Sequence, residues 1–166
     1  IRVVMMNLTS LSKIYMFTSS NYAKSWDPKI ELLEDNEGWL IHKRISVVLP
    51  DTLILPLYHP KLNRSMMVLS TDYFKTFSFS NCIEPDCDDD DNFDNLEEED
   101  HIPKEGNIKP VPFQFQPNGV MAYLISRNDQ RLLVADSADF GLTWTETMQT
   151  SMQITTEEYD ILAIYD

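Results

Sequence analysis

The chain of 166 residues is 43% hydrophobic and carries a net charge of −14, a composition able to bury the core of one domain. No stretch approaches the roughly 18 to 20 consecutive apolar residues of a membrane-spanning helix, and Ile1 to Asn7 lack the charged, apolar and small-residue regions of a signal peptide. The charge is local: residues 84–105 hold twelve Asp or Glu against one Lys, a net −11, so the remainder is close to neutral and offers no basic footprint for nucleic acid or anionic lipid.

Helical periodicity is scarce, whereas short alternating or apolar runs bounded by turn residues recur. They predict strands at 13–18, 43–49, 53–58, 65–69, 109–116, 120–126 and 131–135, an all-β chain. The acidic insertion, 84–105, separates the fourth from the fifth, with Cys82 and Cys87 at its edge. These cysteines form either a small-loop disulfide or two free thiols. Without nearby His they make a poor zinc signal, so no metal and no other cofactor is expected. Two N-glycosylation sequons, Asn7-Leu8-Thr9 and Asn63-Arg64-Ser65, lean weakly toward a secretory route, because about one arises from residue frequencies alone. The compartment is otherwise open.

A turn motif repeats along these strands. Ser137-Ala138-Asp139-Phe140-Gly141-Leu142-Thr143-Trp144 fits Ser-x-Asp-x-Gly-x-Thr-Trp at every defined position. A second copy, from Ser70, keeps Asp72 and Thr76 and has Phe74 for Gly and Phe77 for Trp. A third, from Ser19, keeps Trp26 and has Asn21 for Asp, Ala23 for Gly and Ser25 for Thr. Any single Ser-x-Asp turn is a common hairpin, and the copy at 19 would be explained so by itself. Three in register, each after an apolar strand, are not. The copies start at 19, 70 and 137, spacings of 51 and 67 residues, and the excess in the second falls where the acidic insertion lies. A period near 40 to 50 residues is that of four-stranded propeller blades. The carboxylate at the third position is expected to accept turn N–H groups, Gly to permit a positive φ, and the aromatic to pack beneath the hairpin.

These turns are similar to the Asp boxes of bacterial neuraminidase repeats, and the chain resembles the sialidase superfamily of β-propellers. The likeness extends to Val47-Val48-Leu49-Pro50-Asp51-Thr52-Leu53-Ile54-Leu55-Pro56-Leu57-Tyr58 and, one blade later, to Gly106-Asn107-Ile108-Lys109-Pro110 with Asn118-Gly119-Val120-Met121-Ala122-Tyr123-Leu124. It covers nearly everything outside the insertion. In sialidases the box joins the third and fourth strands of a blade. That phase implies a sialidase-type partial propeller, with blade pieces at 1–34, 42–84, 108–150 and 157–166, the last a first strand at Asp160–Asp166. About two full blades result where sialidase propellers close with six, so a larger parent is expected, and open blade edges would invite assembly with other chains.

The resemblance also implies a substrate face at the end opposite the boxes, formed here by Trp39, His42, Lys43 and Arg44, by Tyr58 to Arg64, by the insertion, and by Arg127 to Arg131. Sialidases hold the sugar carboxylate with three arginines and use a Tyr–Glu nucleophile with an Asp acid/base, an exception to the two-carboxylate scheme. Bidentate guanidinium bonds suit a carboxylate, which makes Arg44, Arg127 and Arg131, with Tyr58, the candidate substrate-binding residues. Each arginine is also read as a solvated loop residue, and Tyr58 and Trp39 as packing residues. Ile125 stands where the family often has Arg, and His59-Pro60 where an acidic group is common, so no catalytic residue is assigned. The insertion would repel an anionic sialoside. Its tract Asp86 to Asp94 resembles a loose cation-binding tract but lacks the spacing and turn Gly of a calcium loop, and it is read first as a flexible, solvated loop.

Two functions follow. One is a sialidase-like segment whose parent hydrolyses terminal sialic acid or related glycosides, inactive as this piece alone. The other is a non-catalytic glycan-binding or assembly module.

Overall fold

The computed structural model describes the backbone of residues 2–7 and residues 13–33, 38–42, 44–48, 51–60, 62–83, 107–114, 119–126 and 130–154. Lys43, the acidic insertion, Cys87, Arg127 and the expected strand at 160–166 lie outside the described residues. The chain divides into two compact units, Ile1–Leu40 and Ile41–Asp166.

The first unit is an antiparallel sheet of β1 (Arg2–Asn7), β2 (Lys13–Thr18) and β3 (Ile30–Leu33), in that order. Alternation along β2 buries Ile14 and Met16 and leaves Lys13 on the other face, where its ammonium pairs with Glu31 of β3 at 2.6 Å. The turn of residues 19–26 follows β2.

The second unit holds two antiparallel sheets. One is built from β4 (Leu40–Ile41), β5 (Ser46–Val48), β6 (Thr52–His59), β7 (Arg64–Ser70) and β8 (Ser78–Phe79), ordered β4-β6-β7-β8 with β5 also on β6. The other is β9 (Asn107–Gln114), β10 (Val120–Ser126), β11 (Arg131–Ser137) and β12 (Met148–Gln153), a meander in sequence order. Val48, Ile54, Met67, Leu69 and Ile83 of the first sheet interdigitate with Val120, Ala122, Leu124, Leu133, Ala135 and Trp144 of the second in one core. Residues 52–57 are buried without alternation, as expected of a strand covered on both faces.

The expected strand 43–49 is interrupted, and proline explains why. Pro56 accepts from the His42 N–H at 3.1 Å but has no N–H to return, so the ladder beside β6 breaks between β4 and β5. The strand that follows the second turn is the short β8. Beyond it, Ser80 N–H to Met67 O (2.9 Å) and Ile83 N–H to Ser65 O (2.8 Å) continue along β7. Among the described residues no helix is long and apolar enough to cross a membrane.

Candidate functional site

The repeated turns share one hydrogen-bond plan, in which a serine hydroxyl at the first position organises the loop. Ser19, Ser70 and Ser137 each accept the N–H four residues on, from Ala23, Phe74 and Gly141 at 2.9, 2.7 and 2.8 Å. Each hydroxyl in turn donates to the third residue, Asn21, Asp72 or Asp139, at 3.0, 2.9 and 2.8 Å. That residue's Oδ1 accepts the N–H of the seventh, Ser25, Thr76 or Thr143, at 2.9, 2.9 and 2.8 Å. The side chains of the third and seventh residues close the ring. Thr76 and Thr143 donate to carboxylates at 2.7 and 2.6 Å, whereas the Asn21 amide donates to the Ser25 hydroxyl at 2.7 Å. Asn thus replaces Asp by reversing one donor.

These bonds settle the charge on the turns. The Asp72 carboxyl is pushed down to about 2 by the Thr76 N–H first, then by the Thr76 hydroxyl; desolvation opposes them, and the Ser70 hydroxyl and Lys75 N–H add to the lowering. Burial of Asp139 works to raise its value, yet the hydroxyl and N–H of Thr143, the Ser137 hydroxyl and the Leu142 N–H together lower it. Both are ionised at neutral pH.

The fourth and fifth residues adopt positive φ in every copy: Tyr22 and Ala23 (60° and 64°), Tyr73 and Phe74 (68° and 62°), Phe140 and Gly141 (61° and 94°). Glycine is therefore used where φ is largest. It also faces the tightest packing, since a Cβ there would meet Ile54 Cδ1 at 3.0 Å and Trp144 Cζ2 at 3.4 Å. The expectation that the eighth-position aromatic packs beneath the turn holds only for Trp144, 7% exposed and donating from Nε1 to Gly141 O at 2.9 Å. Phe77 and Trp26 are 38% and 43% exposed. In the second copy the buried ring comes instead from Phe74, 1% exposed, at the position where the motif has glycine.

Asn81, which the sequence did not single out, locks the third turn to the neighbouring sheet. Its N–H donates to Leu142 O at 3.1 Å, and its Oδ1 accepts the Trp144 N–H at 2.9 Å. No motif surrounds it; the packing of the two sheets gives it this role.

In the second unit, the turns after β7 and β11 lie at one end of their sheets, and the β6–β7 hairpin and the start of β11 lie at the other. Tyr58 stands beside that hairpin, its ring edge-on to His42 at 5.9 Å. Arg44 is exposed in the break between β4 and β5, and Arg131 is half-buried at the start of β11. The hairpin tip is shaped by the Leu62 N–H donating to His59 Nδ1 at 3.0 Å and by Asn63 at φ 54°. Ile83, bonded to Ser65, and Asn107, paired with Ser126, put both attachment points of the acidic insertion at this same end. Asn63 itself is 1% exposed, so the second sequon is a turn residue that cannot carry a glycan in the folded chain. Cys82 is disulfide-bonded, which removes the free-thiol alternative for it.

No protein-family model and no curated protein sequence matches the chain. Solved structures do. A point mutant of NanB sialidase from Streptococcus pneumoniae aligns with a TM-score of 0.64 at 16% identity over 87% of this chain and 20% of that one. The intramolecular trans-sialidase from Ruminococcus gnavus, in complex with oseltamivir carboxylate, aligns at 0.57 and 15% over 84% and 27%. The leech intramolecular trans-sialidase aligns at 0.56 and 13% over 84% and 19%. The chain thus has a sialidase-like fold, that of a partial β-propeller, and it spans between a fifth and about a quarter of these relatives' length.

Proposed function

We propose that the chain is a sialidase-type propeller segment whose whole protein acts on terminal sialic acid or a related glycoside. The observation that carries this reading is the polarity of the second unit. Its two Ser-x-Asp turns, read as Asp boxes, occupy one end, Tyr58 and Arg131 occupy the other, and Arg44 lies in the break beside the middle of β6. Boxes hold the blade hairpins and leave the far rim for the sugar. With Arg127, these residues are assigned to sugar binding, the guanidinium groups to the carboxylate and Tyr58 to the ring. The nucleophile and the acid/base are not assigned to this chain, so hydrolysis is expected of the whole protein.

The test is titration of the chain with a methyl sialoside and with its neutral counterpart. Arg44→Ala and Arg131→Ala should each weaken sialoside binding about tenfold, the worth of a charge-assisted hydrogen bond. Unchanged affinity in both, with melting unaltered, would sink the assignment. Assembly is a second reading, supported by β12, an edge strand that exposes Met148 and Met152. A strictly monomeric mass at all concentrations would oppose it.

A further inference from the structure

At the turn end of the second unit, away from the proposed sialoside rim, a groove of about 340 Å³ opens between the second and third Ser-x-Asp turns. Its volume falls within the range of small-ligand sites. Thr52, Thr71, Thr76, Phe77, Ser78, Asp139 and Leu142 contribute to its wall. We infer that this groove binds a neutral saccharide ring.

Three observations select that occupant. First, Phe77, 38% exposed, forms a T-shaped pair with Phe79, centroid to centroid 5.7 Å, and Leu142 is exposed alongside. The apolar C–H face of a pyranose can lie on such a platform. Second, Thr52, Thr71 and Ser78 bring three hydroxyl-bearing side chains to the groove wall, Thr71 and Ser78 exposed and Thr52 7% exposed. Sugar hydroxyls both donate and accept, and so can pair with all three. Third, the lining contains no Lys or Arg and does contain the ionised Asp139 carboxylate. Its Oδ2 accepts from Thr143 and retains capacity for a sugar O–H. An anionic ligand would meet repulsion with no counter-charge.

The inference does not rest on the sialoside rim, and the two ends would take sugars of opposite electrostatic type. The experiment is an amide NMR titration of the full chain with the methyl glycosides of galactose, mannose and N-acetylglucosamine, and separately with a methyl sialoside and a Lys-rich peptide. At least one neutral glycoside should give saturable shifts at Thr52, Thr71, Phe77 and Ser78. Phe77→Ala and Thr52→Val should each weaken it about fivefold while leaving the melting temperature close to that of the parent, and Val47→Ala on β5, an exposed residue, should leave the affinity unchanged. Absence of saturable shifts from all three neutral glycosides would overturn the proposal. So would equal affinity in both groove variants, equal occupancy of the groove by the sialoside, or shifts from the peptide alone.

Discussion

Replacing Gly141 by alanine probes the third turn most sharply. Two costs meet there. An L-residue in the left-handed region costs about 1–2 kcal/mol, and at φ 94° the backbone stands well beyond the 62–64° at which Phe74 and Ala23 fill the same position. A Cβ would also lie 3.0 Å from Ile54 Cδ1 and 3.4 Å from Leu69 Cδ2, so core side chains must move. Relaxing the turn toward φ 60° would remove part of the first cost. That relaxation is opposed from two sides, by the Gly141 N–H on Ser137 (2.8 Å) and by the Trp144 indole on Gly141 O (2.9 Å). The expected loss is about 2–3 kcal/mol, read as a lower urea midpoint at unchanged slope. Ala23→Gly, with φ already near 60° and an exposed side chain, should change stability by less than about 1 kcal/mol. A Gly141→Ala loss within about 0.5 kcal/mol, the usual range of a surface change, would refute the claim that packing and φ jointly require glycine.

Phe74→Gly should be destabilising despite relieving positive φ, by about 2–4 kcal/mol, because the cavity left by a buried ring outweighs the backbone gain. Asn81→Ala should cost about 1–2 kcal/mol by leaving the Trp144 N–H without its partner, measured in the same denaturation. The turn carboxylates set an acid limit. Both have folded values below their unfolded ones, so the stability they contribute is complete above about pH 4, the ordinary Asp value, and is lost as pH falls toward the value of about 2 held by Asp72. Asp72→Asn should flatten that acid limb in a pH-resolved melting series, as Asn21 already supports the first turn without a titrating group. Expression in a secretory host, followed by intact-mass and peptide mapping, should leave Asn63 unmodified, since its side chain is buried.

The strand pattern was legible wherever alternation and turn residues coincided. β2 and β10 match their expected ranges, and β6, β7 and β11 differ by one or two residues at their ends. The break between β4 and β5 was not legible from their own residues, because its cause, the missing Pro56 N–H, lies on the partner strand. β1 was unseen, since the first residues hold an apolar run without turn signals on both flanks. The turns were readable because their chemistry is local: Ser, Asp or Asn, and Thr or Ser within eight residues bond to one another. Which aromatic enters the core was not, as that depends on the adjoining sheet; Phe74 and Trp144 occupy different motif positions yet both are buried. Of the rim, sequence could name His42, Arg44, Tyr58, His59 and Arg131, but not the edge-on contact of His42 with Tyr58 or the bond from the Leu62 N–H to His59 Nδ1 that shapes the hairpin tip, since both need tertiary pairing.

In the proposed function a sialoside binds the rim of the second unit and not its turn end. Chemical-shift mapping with a methyl sialoside tests it most directly. The account predicts saturable shifts at Tyr58, Arg64, Ser126 and Arg131, growing stronger with added salt as the charge of the acidic insertion is screened, and none at Asp72 or Asp139. Shifts centred on the turns, or a rim that does not respond at any salt concentration, would contradict it.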